Sequence, residues 1–163
     1  MSDFKADRIF RTNTIQVEAP PEKVFPLLCP VREYDWVEPW KCEMVYTDSG
    51  FAEDHCVFRT NFEDHGEAIW MVSRHEPETG IIQFVITCPA THVEKLDIAV
   101  EPTDSASSRI RWDRTYTALN ERGNAFIREL TGPGYDDEIR GLEAMLNHFC
   151  RTGEMLPVAR LVE

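Results

Sequence analysis

The sequence has no apolar run of the roughly 18 residues that a membrane-spanning helix needs. Residues 1–7 also lack the apolar segment found in secretory signal peptides. No C-x-x-C pair is present, and the cysteines are widely scattered, at positions 29, 42, 56, 88 and 150. Free thiols in a reducing compartment are the simplest interpretation of this pattern, so we expect a cytoplasmic protein without a disulfide framework.

Positive charge is also scarce. The chain has 17 Lys and Arg residues against 29 Asp and Glu residues, which gives a net charge of −12. That field repels a phosphate backbone, so we expect no nucleic-acid partner. An anionic membrane surface is disfavoured for the same reason.

Several catalytic signatures are absent as well. The sequence contains no G-x-S-x-G, no phosphate-binding P-loop, no dinucleotide fingerprint and no H-E-x-x-H. His92 and Glu94 lie two apart on one predicted strand face, but a metal site generally needs three or four ligands. We therefore expect neither a cofactor nor a metal. His92 remains a candidate general base, although an exposed strand end is the simpler interpretation of its position.

What is present fits one ordinary domain spanning residues 1–163. Apolar residues alternate with polar ones in segments separated by Pro, Gly, Asp and Ser turn signals, which predicts an antiparallel meander. Proline-rich residues 20–40 interrupt this pattern and predict one or two short helices. The predicted strands are residues 8–19, 41–48, 55–62, 67–74, 81–87, 93–100 and 109–119.

The C-terminal part has a helical period. Residues 135–151 place Ile139, Leu142, Met145, Leu146 and Phe149 on one stripe, and Gly153 suits the position just beyond the helix end. Residues 120–130 look helical with interruptions. A single amphipathic helix after a run of strands must bury its stripe against the sheet, so the predicted class is α+β.

This order of elements resembles the START-like, or SRPBCC, superfamily, which includes birch-pollen-allergen-like and polyketide-cyclase-like proteins. Residues 15–25 are similar to the family's opening strand-to-helix join, and residues 135–153 to its closing helix. Trp36 and Trp40 fall where the family often has a tryptophan. The resemblance implies a helix-grip fold: a curved antiparallel sheet of about seven strands around a long C-terminal helix, with two short helices between strands 1 and 2. Family members commonly bind hydrophobic molecules between sheet and helix, and some are cyclases, aromatases or dehydratases.

Arg114 is the most informative polar residue. Ile110, Trp112, Arg114 and Tyr116 share one strand face, and three of these four suit burial. Because a buried guanidinium is costly unless paired, Arg114 would meet a carboxylate of the sheet or an oxygen of a ligand. The alternative is that this face points outward, or that Arg114 lies at a wet rim.

We therefore expect a cavity that binds a small hydrophobic or aromatic ligand, lipid-like or polyketide-like. One alternative is a cyclase, aromatase or dehydratase that uses Arg114, Tyr116 and His92. Another is a protein-interaction module, and plain core packing is the alternative for each tryptophan. The sequence does not indicate the oligomeric state. The expected cavity residues are Trp36, Trp40, Phe58, Trp70, Phe84, Leu96, Trp112, Arg114, Tyr116, Leu142 and Leu146.

Overall fold

Residues 3–161 are described by a computed structural model, in which seven strands form one antiparallel sheet. Strands β2 to β7 follow one another as a meander, and β1 pairs with β7, so the order across the sheet is β1-β7-β6-β5-β4-β3-β2. This confirms the predicted antiparallel architecture. The strands are β1 (Arg8–Val17), β2 (Glu43–Tyr46), β3 (Val57–Phe62), β4 (Gly66–Glu76), β5 (Ile81–Cys88), β6 (His92–Pro102) and β7 (Ser108–Ala118).

Within the same described residues, four α-helices accompany the sheet: α1 (Pro21–Val24), α2 (Pro30–Glu33), α3 (Glu121–Glu129) and α4 (Pro133–Thr152). Helix α1 continues into a 3₁₀ turn, Phe25–Leu28, and a second 3₁₀ turn covers Val158–Arg160. Pro21, Pro26 and Pro30 each stand near the start of one short element, where proline has no hydrogen bond to lose. The two short helices between β1 and β2 match the predicted helix-grip order.

The core lies between the inner face of the sheet and α4. Ile139, Met145 and Leu146 of the predicted stripe are buried, and Leu142 and Phe149 pack against the same core. On the sheet, β5 to β7 alternate strictly between buried inner residues and partly exposed outer residues over most of their length. This alternation is the period-two pattern from which the strands were predicted.

Two details differ from the predictions. The predicted strand 41–48 is shorter in the structure, Glu43–Tyr46, and its pairing with β3 shifts register between Met44 and Tyr46. Tyr46 is consequently 61% exposed. Helix α3 is continuous over nine residues rather than interrupted, since Asn120 caps it by accepting a hydrogen bond from the Gly123 N–H at 2.9 Å.

All five cysteines are free thiols, in agreement with the predicted lack of a disulfide framework. Within residues 3–161, no helix is long and apolar enough to cross a membrane.

Candidate functional site

A cavity between the inner face of the sheet and helix α4 consists of two adjoining chambers. The inner chamber has a volume of about 130 Å³ and is mostly apolar. The outer chamber, about 480 Å³, is more polar, and its rim includes the exposed residues Glu63, Asp64 and Glu138. Trp40, Trp70 and Arg114 line both chambers and mark the boundary between them.

The structure brings most of the predicted cavity residues together in the inner chamber. Tyr116 lines the outer chamber instead. Leu146 is fully buried in the core and lines neither chamber. The predicted residues of the inner chamber are Trp36, Trp40, Phe58, Trp70, Phe84, Leu96, Trp112, Arg114 and Leu142.

The aromatic walls of the inner chamber are held in place by hydrogen bonds. The indole N–H groups of Trp36 and Trp40 donate to the carbonyl oxygens of Leu27 and Pro30, at 2.9 Å and 2.8 Å. The Trp70 indole donates to Thr60 Oγ1 at 2.9 Å, and its ring lies edge-on to Trp40 with centroids 6.0 Å apart. Fixed rings of this kind offer a preformed surface to an apolar or aromatic ligand.

The polar wall of the outer chamber comes from β6 and β7. Glu94 and Tyr116 stand opposite each other in the register of these strands, and Arg114 lies opposite Leu96. Arg114 Nη1 donates to the Tyr116 hydroxyl at 3.2 Å and lies 3.5 Å from Glu94 Oε1. Arg114 therefore faces the interior, as its strand phase predicts, and its side chain is 22% exposed.

Four buried polar atoms of the outer chamber lack a hydrogen-bond partner among residues 3–161, and one of them, His65 Nδ1, lies 2.6 Å from the Asp64 carboxylate. The other three are Glu94 Oε1, Arg114 Nε and the Tyr135 hydroxyl. Glu94 and Tyr135 are only 6% and 7% exposed. Buried polar groups in native proteins are nearly always paired, so this set indicates a place where a ligand or water supplies the missing partners.

Burial also changes the acid–base properties of this wall. It raises the pKa of Glu94, and the positive charge of Arg114 opposes that rise only in part. It lowers the pKa of His92 to about 4, with a further contribution from His65, so the imidazole is neutral near pH 7. The two pKa changes thus have opposite directions, favouring the protonated form of Glu94 and the neutral form of His92.

His92 is not the exposed strand end that the sequence favoured. It is 2% exposed, its Nδ1 lies 2.8 Å from Thr91 Oγ1, and its ring stacks on Phe126 with centroids 4.9 Å apart. Phe126 comes from α3, which follows β7 and covers this end of the sheet. His65, from the β3–β4 turn, adjoins both rings.

Sequence reasoning gave no site role to Glu33, Tyr135 or His65 and considered Glu94 only as a metal ligand, yet all four line a chamber. The sequence pattern did predict that Glu94 faces the core, because it shares its strand face with the apolar Leu96, Ile98 and Val100. Tyr135 also carried a periodic signal, because it lies four residues before Ile139 and in phase with the apolar stripe of α4. Glu33 ends a four-residue helix and has no such signal. Within residues 3–161, no three His, Cys, Asp or Glu side chains are grouped so as to hold a metal ion.

Solved structures with the same architecture define the class of this protein. Norcoclaurine synthase from Thalictrum flavum, in complex with dopamine and hydroxybenzaldehyde, superposes with a TM-score of 0.66 at 14% identity, over 89% of this chain and 87% of that chain. A START superfamily protein from Mycobacterium smegmatis gives 0.62 at 13% identity, over 86% and 98%. The di-domain ARO/CYC protein BexL from the BE-7585A biosynthetic pathway gives 0.59 at 19% identity, over 86% and 45%. These likenesses establish a START-like helix-grip fold.

The family follows from the sequence itself. Residues 11–147 match the family described as polyketide cyclase / dehydrase and lipid transport, and the chain belongs to that family. No curated protein sequence matches the chain.

Proposed function

We propose that this protein binds a small, largely apolar molecule that carries a carbonyl or carboxylate group. The apolar part lies against the tryptophans at the boundary of the two chambers, and the oxygenated end lies in the outer chamber beside Arg114. The observation that carries this proposal is the set of three buried polar atoms, on Glu94, Arg114 and Tyr135, that have no hydrogen-bond partner within residues 3–161. A buried polar atom without a partner costs free energy, and this cost is removed only when a bound molecule or water completes the hydrogen bonding of the atom.

The chemistry of the three atoms suits an oxygenated group. Arg114 Nε is a donor with a fixed positive charge, so it pairs with a carbonyl or carboxylate oxygen. The Tyr135 hydroxyl can donate to a second oxygen. Glu94 either accepts from a hydroxyl of the ligand or, when protonated, donates to another oxygen.

Acid–base catalysis on the same ligand is the second candidate function, favoured by the opposite pKa changes of Glu94 and His92. For a β-hydroxy carbonyl compound, His92 would take the proton from the carbon next to the carbonyl while Arg114 stabilises the enolate oxygen. Glu94 would then give its proton to the leaving hydroxyl, releasing water as the carbon–carbon double bond forms. The tautomer in which Nδ1–H donates to Thr91 leaves His92 Nε2 as the proton acceptor.

Calorimetric titration with cinnamic acid, a carboxylate on a flat apolar frame, tests the binding function. We expect Tyr135→Phe to raise Kd about fivefold, the value of one hydrogen bond of about 1 kcal/mol. This variant keeps the aromatic ring of residue 135, which packs under Arg11 with the guanidinium carbon 4.4 Å from the ring centroid. The stability of the variant should therefore be unchanged or higher.

Tyr46→Phe is the matched control, because Tyr46 is exposed on β2, far along the sheet from β7. Equal affinity of wild type and Tyr135→Phe for cinnamic acid, or no binding at all, would contradict the proposal. Native mass spectrometry of gently purified protein extends the test to any copurifying molecule, and loss of water from it on incubation would favour the catalytic candidate.

A further inference from the structure

Glu33 is a carboxyl group in the apolar chamber. It ends helix α2, where its carbonyl oxygen accepts the N–H groups of Trp36 and Val37 at 3.2 Å and 2.8 Å. These bonds fix the backbone of residues 33–37, and Glu33, Trp36 and Val37 all line the inner chamber. Apart from Arg114 at the boundary, every other residue lining that chamber is apolar or aromatic.

In the described part of the chain, the Glu33 carboxyl group is not hydrogen-bonded to the surrounding walls. Within residues 3–161, the Glu33 side chain makes no hydrogen bond and no ion pair, while Trp36 and Trp40 donate to backbone carbonyl oxygens instead. Arg114 is directed to Tyr116 and Glu94. The hydrogen-bonding capacity of Glu33 is therefore open to a molecule in the inner chamber.

The charges around the chamber restrict what that molecule can be. Arg114 lines the same space and repels an ammonium or other cationic group. Burial raises the pKa of Glu33 to about 8, with only partial opposition from Arg114, because desolvation disfavours a negative charge at this position. The same desolvation disfavours an anionic ligand group beside Glu33. A neutral hydroxyl, which can both donate and accept, pairs with a carboxyl group in either protonation state.

We propose that Glu33 is a specificity-determining residue, which selects ligands whose aromatic ring carries a hydroxyl group at the end remote from Arg114. The ring occupies the tryptophan-lined inner chamber, its hydroxyl bonds to Glu33, and its carbonyl or carboxylate group bonds to Arg114. This inference rests on the proposed binding function and adds a second anchoring point to it.

The experiment compares acids with and without this hydroxyl. Benzoic acid and cinnamic acid provide two lengths, and each is titrated alongside its para-hydroxy and para-methoxy derivatives. For whichever of the two acids is long enough to reach both Glu33 and Arg114, we expect the para-hydroxyl group to lower Kd about fivefold. The para-methoxy group should give no such gain.

Two variants assign that gain to Glu33. Glu33→Met removes the hydrogen-bonding group at similar length, and we expect it to abolish the hydroxyl gain while the unsubstituted acid binds as before. Glu33→Gln keeps an acceptor and a donor and should keep most of the gain. Because both variants remove a buried ionisable group, their thermal unfolding should show folded protein of at least wild-type stability.

The outcomes separate this inference from the proposal on which it rests. If the unsubstituted acids bind but the hydroxyl gives no gain at either length, or the gain survives in Glu33→Met, the role of Glu33 is wrong and the binding function stands. If none of the acids binds, the binding function itself is overturned.

Discussion

At the scale of single residues, the unusual feature is one guanidinium that lines the cavity together with two carboxyl groups, the buried Glu94 and the half-buried Glu33. Burial raises the pKa of both Glu33 and Glu94, and the charge of Arg114 offsets only part of each rise. Of these two carboxyl groups, only Glu94 forms an ion pair with Arg114. Buried ionisable groups without full pairing cost stability, and proteins commonly retain such costs at functional sites. The arrangement therefore supports the proposed binding function.

Replacement of Glu33 by Gln should change how stability depends on pH. The folded protein holds the Glu33 proton up to a pKa of about 8, whereas the unfolded chain releases it near the ordinary value of 4.5. Ionisation therefore opposes folding between these two pH values, and the free energy of unfolding falls as pH rises through that window. Relative to wild type, Glu33→Gln should gain stability progressively from pH about 5 to 8, by a few kcal/mol at most, and the gain should then level off.

Urea denaturation at a series of pH values measures this difference directly. His92, with its pKa lowered to about 4, contributes in the opposite direction, because its share of stability is lost as pH falls from 6.5 towards 4. The contribution of His92 is the same in wild type and in Glu33→Gln, so it cancels when the two free energies of unfolding are subtracted. Glu22→Gln, at an exposed position of α1, serves as control, and parallel curves for wild type and Glu33→Gln would refute the assignment.

At the scale of elements, the strands were predictable because each has one face against the core. In β6, for example, Leu96, Ile98 and Val100 alternate with partly exposed residues, and the predicted strand 93–100 lies within the observed His92–Pro102. The same rule placed Arg114 on the inner face of β7. Period-two alternation reports burial directly, so it identifies a strand and the orientation of its side chains together.

The elements that complete the candidate site were less predictable. Helices α1 and α2 have four residues each, too few to show a helical period, so no sequence pattern placed Glu33 towards the cavity. The nearness of Tyr135 and Glu94 depends on where α4 begins relative to β6, which is a tertiary property. The sequence therefore predicted the inner chamber well and the polar end of the outer chamber poorly.

Helix α3 closes the outer chamber by an approach so close that it requires glycine. A Cβ atom on Gly123 would lie 1.9 Å from the carbonyl oxygen of Thr91, which accepts the N–H of Leu119 at 2.8 Å. Gly123→Ala should therefore push α3 away from the sheet and lower the free energy of unfolding by about 2 kcal/mol or more. Gly134→Ala, in the first turn of α4 with open space around it, should be neutral or slightly stabilising.

Chemical denaturation of both glycine variants checks this prediction. Because Phe126 of α3 stacks on His92, the Gly123→Ala change should also alter the surroundings of that histidine. A similar small effect of both substitutions on stability would show that α3 is not held by this contact.

At the scale of the whole molecule, the sheet has two edges, and helix α4 covers one of them. The Gln16 N–H of edge strand β1 donates to Glu143 Oε2, and the Glu18 N–H just beyond the strand donates to Asn147 Oδ1, both at 2.8 Å. Asn147 Nδ2 in turn donates to the Gln16 carbonyl oxygen at 2.8 Å. The same helix that packs its apolar stripe on the core thus satisfies backbone groups that an open edge would leave free for another strand.

Asn147→Ala should loosen this edge. The substitution removes the partners of the Glu18 N–H and the Gln16 carbonyl oxygen, which predicts a loss of about 1–3 kcal/mol of stability and faster amide hydrogen exchange at Glu18. Asn61→Ala is the control, since Asn61 is exposed on β3 and its side chain has no hydrogen bond within residues 3–161. If exchange at Glu18 is the same in wild type and Asn147→Ala, then α4 is held by its apolar stripe alone, and the edge of β1 depends on solvent for its hydrogen bonds.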